Sequence, residues 1–158
     1  MAATSSRHAG RKRALDILYE ADLLERPLTA VLADHLEYED PPGAFSAQLV
    51  RGVDRHRGEL DTLISAHARG WRLERMPVVD RNLLRLGLYE MRYTDDVPDA
   101  VAIDEAVELA KELSTDDSGR FINGVLARVA GAGPSEPDLG ARNEAGGGET
   151  RVEEPGDA

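Results

Sequence analysis

Two stretches of this chain carry charged and hydrogen-bonding side chains for which helix formation alone gives no reason. The first is Arg7-His-Ala-Gly-Arg-Lys-Arg13, which holds Arg7, Arg11, Lys12 and Arg13, with no acid anywhere in residues 1–13. Cations at a helix N-terminus oppose the macrodipole. On adjacent turns they suit a phosphate backbone, although a solvated helix start is the plainer reading. The second stretch runs from Ser114 to Leu126, STDDSGRFINGVL. Asp116 or Asp117 can cap the free N–H groups of a helix that follows, but Arg120 is again a cation in a first turn, and Asn123-Gly124 are poor helix formers inside an apolar pattern. Phe121 can either pack inward or offer a ring on which a base stacks. Its spacing with Ile122, Val125, Leu126 and Val129 favours inward packing.

Other chemistries find little support. Asp104 and Glu108 lie one turn apart, but beside Lys111 and Glu112 they read as a solvated helix face. His35, His56 and His67 have no second histidine three or four residues away, so no helical metal site is signalled. The chain has no cysteine, which excludes thiolate nucleophiles and disulfides, and no GxGxxG, P-loop or GxSxG motif. The residues point away from catalysis and toward binding, with no cofactor implied.

The elements that position these stretches are helical. Pro77 to Tyr93, PVVDRNLLRLGLYEMRY, places Val79, Leu83, Leu86 and Leu84, Leu88, Met91 at spacings of three and four, which makes two apolar stripes on one helix. A helix apolar over that much of its girth belongs at the centre of a fold. Around it the periodicity predicts helices over Arg7–Glu25, Leu28–Tyr38, Ala44–Ala68, Ala102–Leu113 and Ser118–Ala130. Ser5 or Ser6 can cap the first, and Gly52 and Gly58 fall inside the third. Trp71, Leu73 and Met76 are expected to form a further turn packing on the core. Gly10 weakens a helix by about 1 kcal/mol relative to alanine, so the basic arm is expected to fray until something binds it. No stretch alternates as a strand would, and the predicted class is all-α.

Charge is unevenly distributed. The net charge of −11 combines +4 over residues 1–13, −5 over residues 131–158 and −10 over the body between them. A basic arm on an acidic body suits nucleic acid held at one confined place. Residues 1–6 read as a flexible N-terminus, 7–130 as one domain, and 131–158, rich in Gly, Pro, Glu and Asp, as a disordered acidic tail. No apolar run approaches the roughly 18 residues of a membrane span and no secretory signal is visible, so a cytoplasmic protein is expected.

Taken in order, several blocks resemble the NusB family of transcription antitermination factors. They are Arg7–Arg13 followed by Ala14-Leu-Asp-Ile-Leu-Tyr19, then Val79–Glu90, Val97-Pro98, Ala102–Lys111 and Arg120-Phe-Ile-Asn-Gly-Val-Leu126. The resemblance implies an all-helical domain of about seven helices in two subbundles. It implies binding to boxA-type RNA in nascent ribosomal RNA leaders, together with the ribosomal protein NusE and other Nus factors of the elongation complex. RNA-facing positions would be Arg7, Arg11, Lys12, Arg13, Asp117, Arg120 and Phe121, which makes Phe121 partly exposed, against its spacing. NusE-facing positions would be Tyr19, Glu74 and Asp80. Gly10 departs from the family, which usually has alanine or a better helix former there. Two alternatives remain. Some relatives form homodimers that cover the RNA face, and some ribosomal RNA cytosine methyltransferases carry a similar N-terminal domain. That chemistry needs a cysteine nucleophile, which this chain lacks.

Overall fold

The structure, a computed structural model, describes residues 2–132. Of the tail expected over 131–158, residues 131–132 belong to the last helix, and 133–158 lie outside the described residues. Seven α-helices form the described chain: α1 Ala2–Leu24, α2 Leu28–Leu36, α3 Ala44–Arg55, α4 Arg57–His67, α5 Val78–Tyr93, α6 Asp99–Leu113 and α7 Asp116–Ala132. A single 3-10 turn, Leu73–Arg75, precedes α5. No strand occurs among the described residues.

α5 is the hub. Leu83, Leu84, Leu86 and Leu88 are at most 2% exposed, and α5 packs against α1 and α3 on one side and α4, α6 and α7 on the other. The mutual contacts of α1, α2 and α3 make one subbundle, and α4 to α7 make the second. Close packing depends on glycine at two crossings. A Cβ at Gly87 would sit 3.0 Å from Leu126, and one at Gly52 would fall inside the Tyr89 ring.

Four local expectations are corrected. The helix predicted over Ala44–Ala68 is two, broken at His56 and not at either glycine. His56 donates its N–H to the Gly52 carbonyl and accepts from Leu60, closing α3 and opening α4. Its ring stacks on Tyr93 at 3.7 Å. α1 begins at Ala2, so Ser5 and Ser6 lie within it and do not cap it. It ends in a Schellman pattern, with Arg26 N–H to Ala21 O at 2.9 Å and Glu25 in the left-handed region at φ 53°, just before Pro27.

The basic arm is not frayed. It is helical through Gly10, whose carbonyl accepts the Ser46 hydroxyl at 2.8 Å while the Phe45 ring lies where an alanine methyl would point. Lastly, Trp71 does not pack into the core: it is 51% exposed, whereas Met76 is buried and Leu73 partly so.

Candidate nucleic-acid interface

The arm residues occupy successive turns of α1, and the fold gives each a different surrounding. Arg7 points outward, its Nη2 3.1 Å from Asp96, with its guanidinium 4.6 Å above the Phe45 ring. His8 bridges two acids of α6, Nδ1 to Glu105 at 2.9 Å and Nε2 to Glu112 at 3.4 Å. The bond to Glu105 raises its pKa, and burial only partly offsets this. Lys12 reaches the other oxygen of Glu112 at 2.8 Å. Arg13 donates to the Asp40 carbonyl at 2.7 Å. Arg11 turns the other way: it is 4% exposed and grips Glu90 of α5 with two bonds.

Three of the four expected phosphate contacts are therefore available at the surface, and Arg11 is a structural anchor. The reason is geometric. Arg11 stands one turn before Leu15 and three residues before Ala14, both buried, and so shares the inward face of α1.

The second segment opens α7. Asp117 and Arg120 are exposed and pair with each other one turn apart. Phe121 is partly buried against the core, which is the partial exposure the resemblance implied. Its ring meets Trp71 edge to face, with centroids 5.9 Å apart. The Lys12–Glu112 pair links the arm to the end of α6, and only Ser114 and Thr115 separate α6 from α7. The arm thus lies against the helix that leads into the second segment.

The three positions expected to face a protein partner do not share one environment. Tyr19 is 38% exposed and the Glu74 side chain is exposed, paired loosely with Arg72. Asp80 is 4% exposed, and its Oδ2 accepts the Ser118 hydroxyl at 2.9 Å. It is not a surface acid.

Sequence reasoning overlooked an ionic network beneath this surface. Asp22 of α1 accepts from Arg81 at 2.7 and 2.9 Å, from Asn82 at 2.9 Å and from Arg85 at 3.2 Å, and Arg85 also grips Asp61 of α4. Burial pushes the Asp22 carboxyl up, but the bonds from Arg81 and Asn82 and the two guanidinium charges outweigh it and bring the pKa to about 2. The signal was present: Arg81, Asn82 and Arg85 fall among the leucine stripes of the hub helix, and buried polar groups require partners.

The NusB family model matches residues 8–131. The chain belongs to the NusB family. It is 52% identical over 129 residues to the transcription antitermination protein NusB of Salinispora arenicola, covering 79% of this chain and 95% of that protein. With the NusB of Saccharopolyspora erythraea it shares 54% over 131 residues, covering 81% and 88%. Among solved structures, T. maritima NusB superposes with a TM-score of 0.72 at 33% identity, over 84% of this chain and 96% of that one. A chain from a structure of the antitermination factors NusB and NusE in complex with double-stranded RNA gives 0.69 at 26% identity, over 82% and 98%. In this NusB-family chain no helix among the described residues is long and apolar enough to cross a membrane.

Proposed function

We propose that this chain is a transcription antitermination factor that binds boxA-type single-stranded RNA in nascent ribosomal RNA leaders. It acts with the ribosomal protein NusE and other Nus factors of the elongation complex, in the cytoplasm and without catalysis. The observation that supports this reading is the Lys12–Glu112 ion pair, which ties the arm to the end of α6, five residues before Asp117. Arg7, Lys12, Arg13 and Arg120 neutralise phosphates, and Phe121 offers a ring edge to unpaired bases. Arg11 contributes by holding α1 on α5. Tyr19 and Glu74 form the NusE-facing part, with the exposed acid suited to a basic ribosomal partner.

Fluorescence anisotropy tests the reading, using a labelled boxA-like RNA against a scrambled control at fixed salt, with and without NusE. Tighter binding to the boxA-like RNA, strengthened by NusE, is expected. Equal and weak binding to both RNAs in both conditions overturns it.

A further inference from the structure

Of the 19 lysine and arginine residues in this chain, only Lys12 and Lys111 are lysines. The fold brings both to the end of α6: Lys12 reaches across from α1 to Glu112 at 2.8 Å, and Lys111 directly precedes Glu112 in the chain. We propose that Lys111 Nζ is an acylation site, served by an acyl phosphate or an acyl thioester, and that its acylation weakens RNA binding. The consequence for RNA rests on the RNA reading above, whereas the site itself does not.

Acylation needs a nitrogen lone pair. A guanidinium keeps its proton in proteins, so among the cationic side chains of α1 and α6 only the two lysines can react. The neutral Nζ attacks the acyl carbonyl carbon and an amide C–N bond forms. The C–O bond of the acyl phosphate, or the C–S bond of the thioester, breaks. Phosphate or thiolate leaves with the electron pair, and the proton lost from nitrogen passes to it or to water. Nothing is oxidised or reduced.

The two amines are held differently. Lys12 is tied to Glu112, and that bond raises its pKa, which lowers the fraction that carries a lone pair. Lys111 is exposed and has no hydrogen-bond or ion-pair partner among the described residues. Its stem is nevertheless placed. A Cβ at Gly119 would lie 3.2 Å from Lys111 Cγ and 3.7 Å from its Cε, so the stem runs along the first turn of α7 and carries the amine in the open. Reaction at Lys12 must break an ion pair, and reaction at Lys111 breaks none.

Acylation removes one positive charge. In the last turn of α6 that charge complements the helix dipole and stands beside the exposed acids Glu108 and Glu112. Its loss makes the helix end that the arm lies against more negative, which opposes the approach of a polyanion.

The full chain is incubated at about pH 8, where a small free-amine fraction exists, with acetyl phosphate in one series and acetyl coenzyme A in another. Mass spectrometry of digests follows each amine with time, and anisotropy of a labelled boxA-like RNA follows affinity. Lys111→Arg keeps the charge but cannot be acylated, and it is treated in parallel.

The expected result is acylation of Lys111 about fivefold faster than of Lys12 in at least one series, the range of an exposed ion pair. RNA affinity should fall about two- to fivefold as Lys111 fills, and Lys111→Gln, untreated, should bind like the acylated parent chain. Treated Lys111→Arg should keep its untreated affinity. The faster donor identifies the source of the acyl group. Equal rates at the two lysines, or faster reaction at Lys12, overturn the site. Selective acylation of Lys111 with unchanged RNA affinity, or an equal loss of affinity in Lys111→Arg, overturns its effect on RNA and so the proposal. Absence of RNA binding before treatment overturns the RNA function, and the acylation rates then decide the site alone.

Discussion

Arg11 holds Glu90 in a two-point grip, Nε to Oε1 at 2.7 Å and Nη2 to Oε2 at 2.9 Å, with both side chains at most 5% exposed. This contact fastens the basic arm of α1 to the hub helix. Removing one partner of a buried pair strands the other charge, which costs roughly 3–5 kcal/mol. Arg11→Ala and Glu90→Ala should each lower unfolding free energy by about that amount in urea titrations, whereas Arg13→Ala should stay within about 0.5 kcal/mol. Arg11→Ala will also weaken RNA binding by releasing the arm. A lost direct phosphate contact flattens the log–log salt dependence by about 0.7, and that change is expected for Lys12→Gln. Arg11→Ala with full stability and a flattened slope would return Arg11 to the RNA surface.

If the arm binds RNA as proposed, Glu112 competes for it. Its two oxygens face His8 and Lys12, so a phosphate that pairs with Lys12 must first displace a carboxylate. Glu112→Gln should therefore tighten RNA binding by about two- to fivefold at low salt, the range of an exposed ion pair. The gain should vanish in a Lys12→Gln background. Glu108→Gln removes the same charge one turn earlier on α6 and serves as the control for long-range electrostatics. Equal gains from both substitutions would reduce the effect to net charge.

The same cluster gives stability a pH dependence. Glu105 raises the His8 pKa in the folded protein, with Glu112 adding to it and Lys12 and Arg11 sharing those acids. A histidine with a raised folded pKa stabilises fully below its unfolded pKa of about 6.5 and loses that contribution as pH rises through the folded value. The stability difference between the parent chain and His8→Gln should accordingly shrink from about pH 6 to pH 8 in denaturant unfolding. A difference that grows with pH would mean His8 is held neutral. Asp22 behaves oppositely: with its carboxyl lowered to about 2, its contribution is present above the unfolded carboxylate range and fades only as pH falls toward that value.

Much of this fold was legible because apolar spacing is a local property. The two leucine stripes of Pro77–Tyr93 announced the hub, and α6 and α7 followed from similar periodicity. What periodicity misses is the partner. Arg11 looked like one of four equivalent cations, since nothing near it in sequence reveals Glu90, 79 residues away. The resemblance put Asp80 at a partner-facing position, and nothing near it in sequence reveals that it is buried and bonded to Ser118 of another helix. The break at His56 depends on Tyr93 in the same way. Charged side chains on a helix were assigned by type, and the fold assigned them by direction.

Gly10 is the sharpest case, because sequence and structure give opposite signs for one substitution. By helix propensity alone Gly10→Ala should stabilise α1 by about 1 kcal/mol. In the structure the new methyl would lie 2.8 Å from Phe45 Cδ2 and 3.4 Å from the Ser46 hydroxyl, whose bond to the Gly10 carbonyl sets the helices at this distance. The Phe45 ring also lies beneath Arg7 and Arg11, so it cannot retreat without disturbing both cations. Overpacking of this kind costs roughly 1–3 kcal/mol, which exceeds the propensity gain. Gly10→Ala should be destabilising by about 1 kcal/mol in thermal or urea unfolding, and Gly10→Ala combined with Phe45→Ala should be more stable than Phe45→Ala alone. If Gly10→Ala stabilises the protein on its own, the contact between the arm and Phe45 is looser than the geometry shows, and the glycine serves only to loosen the helix.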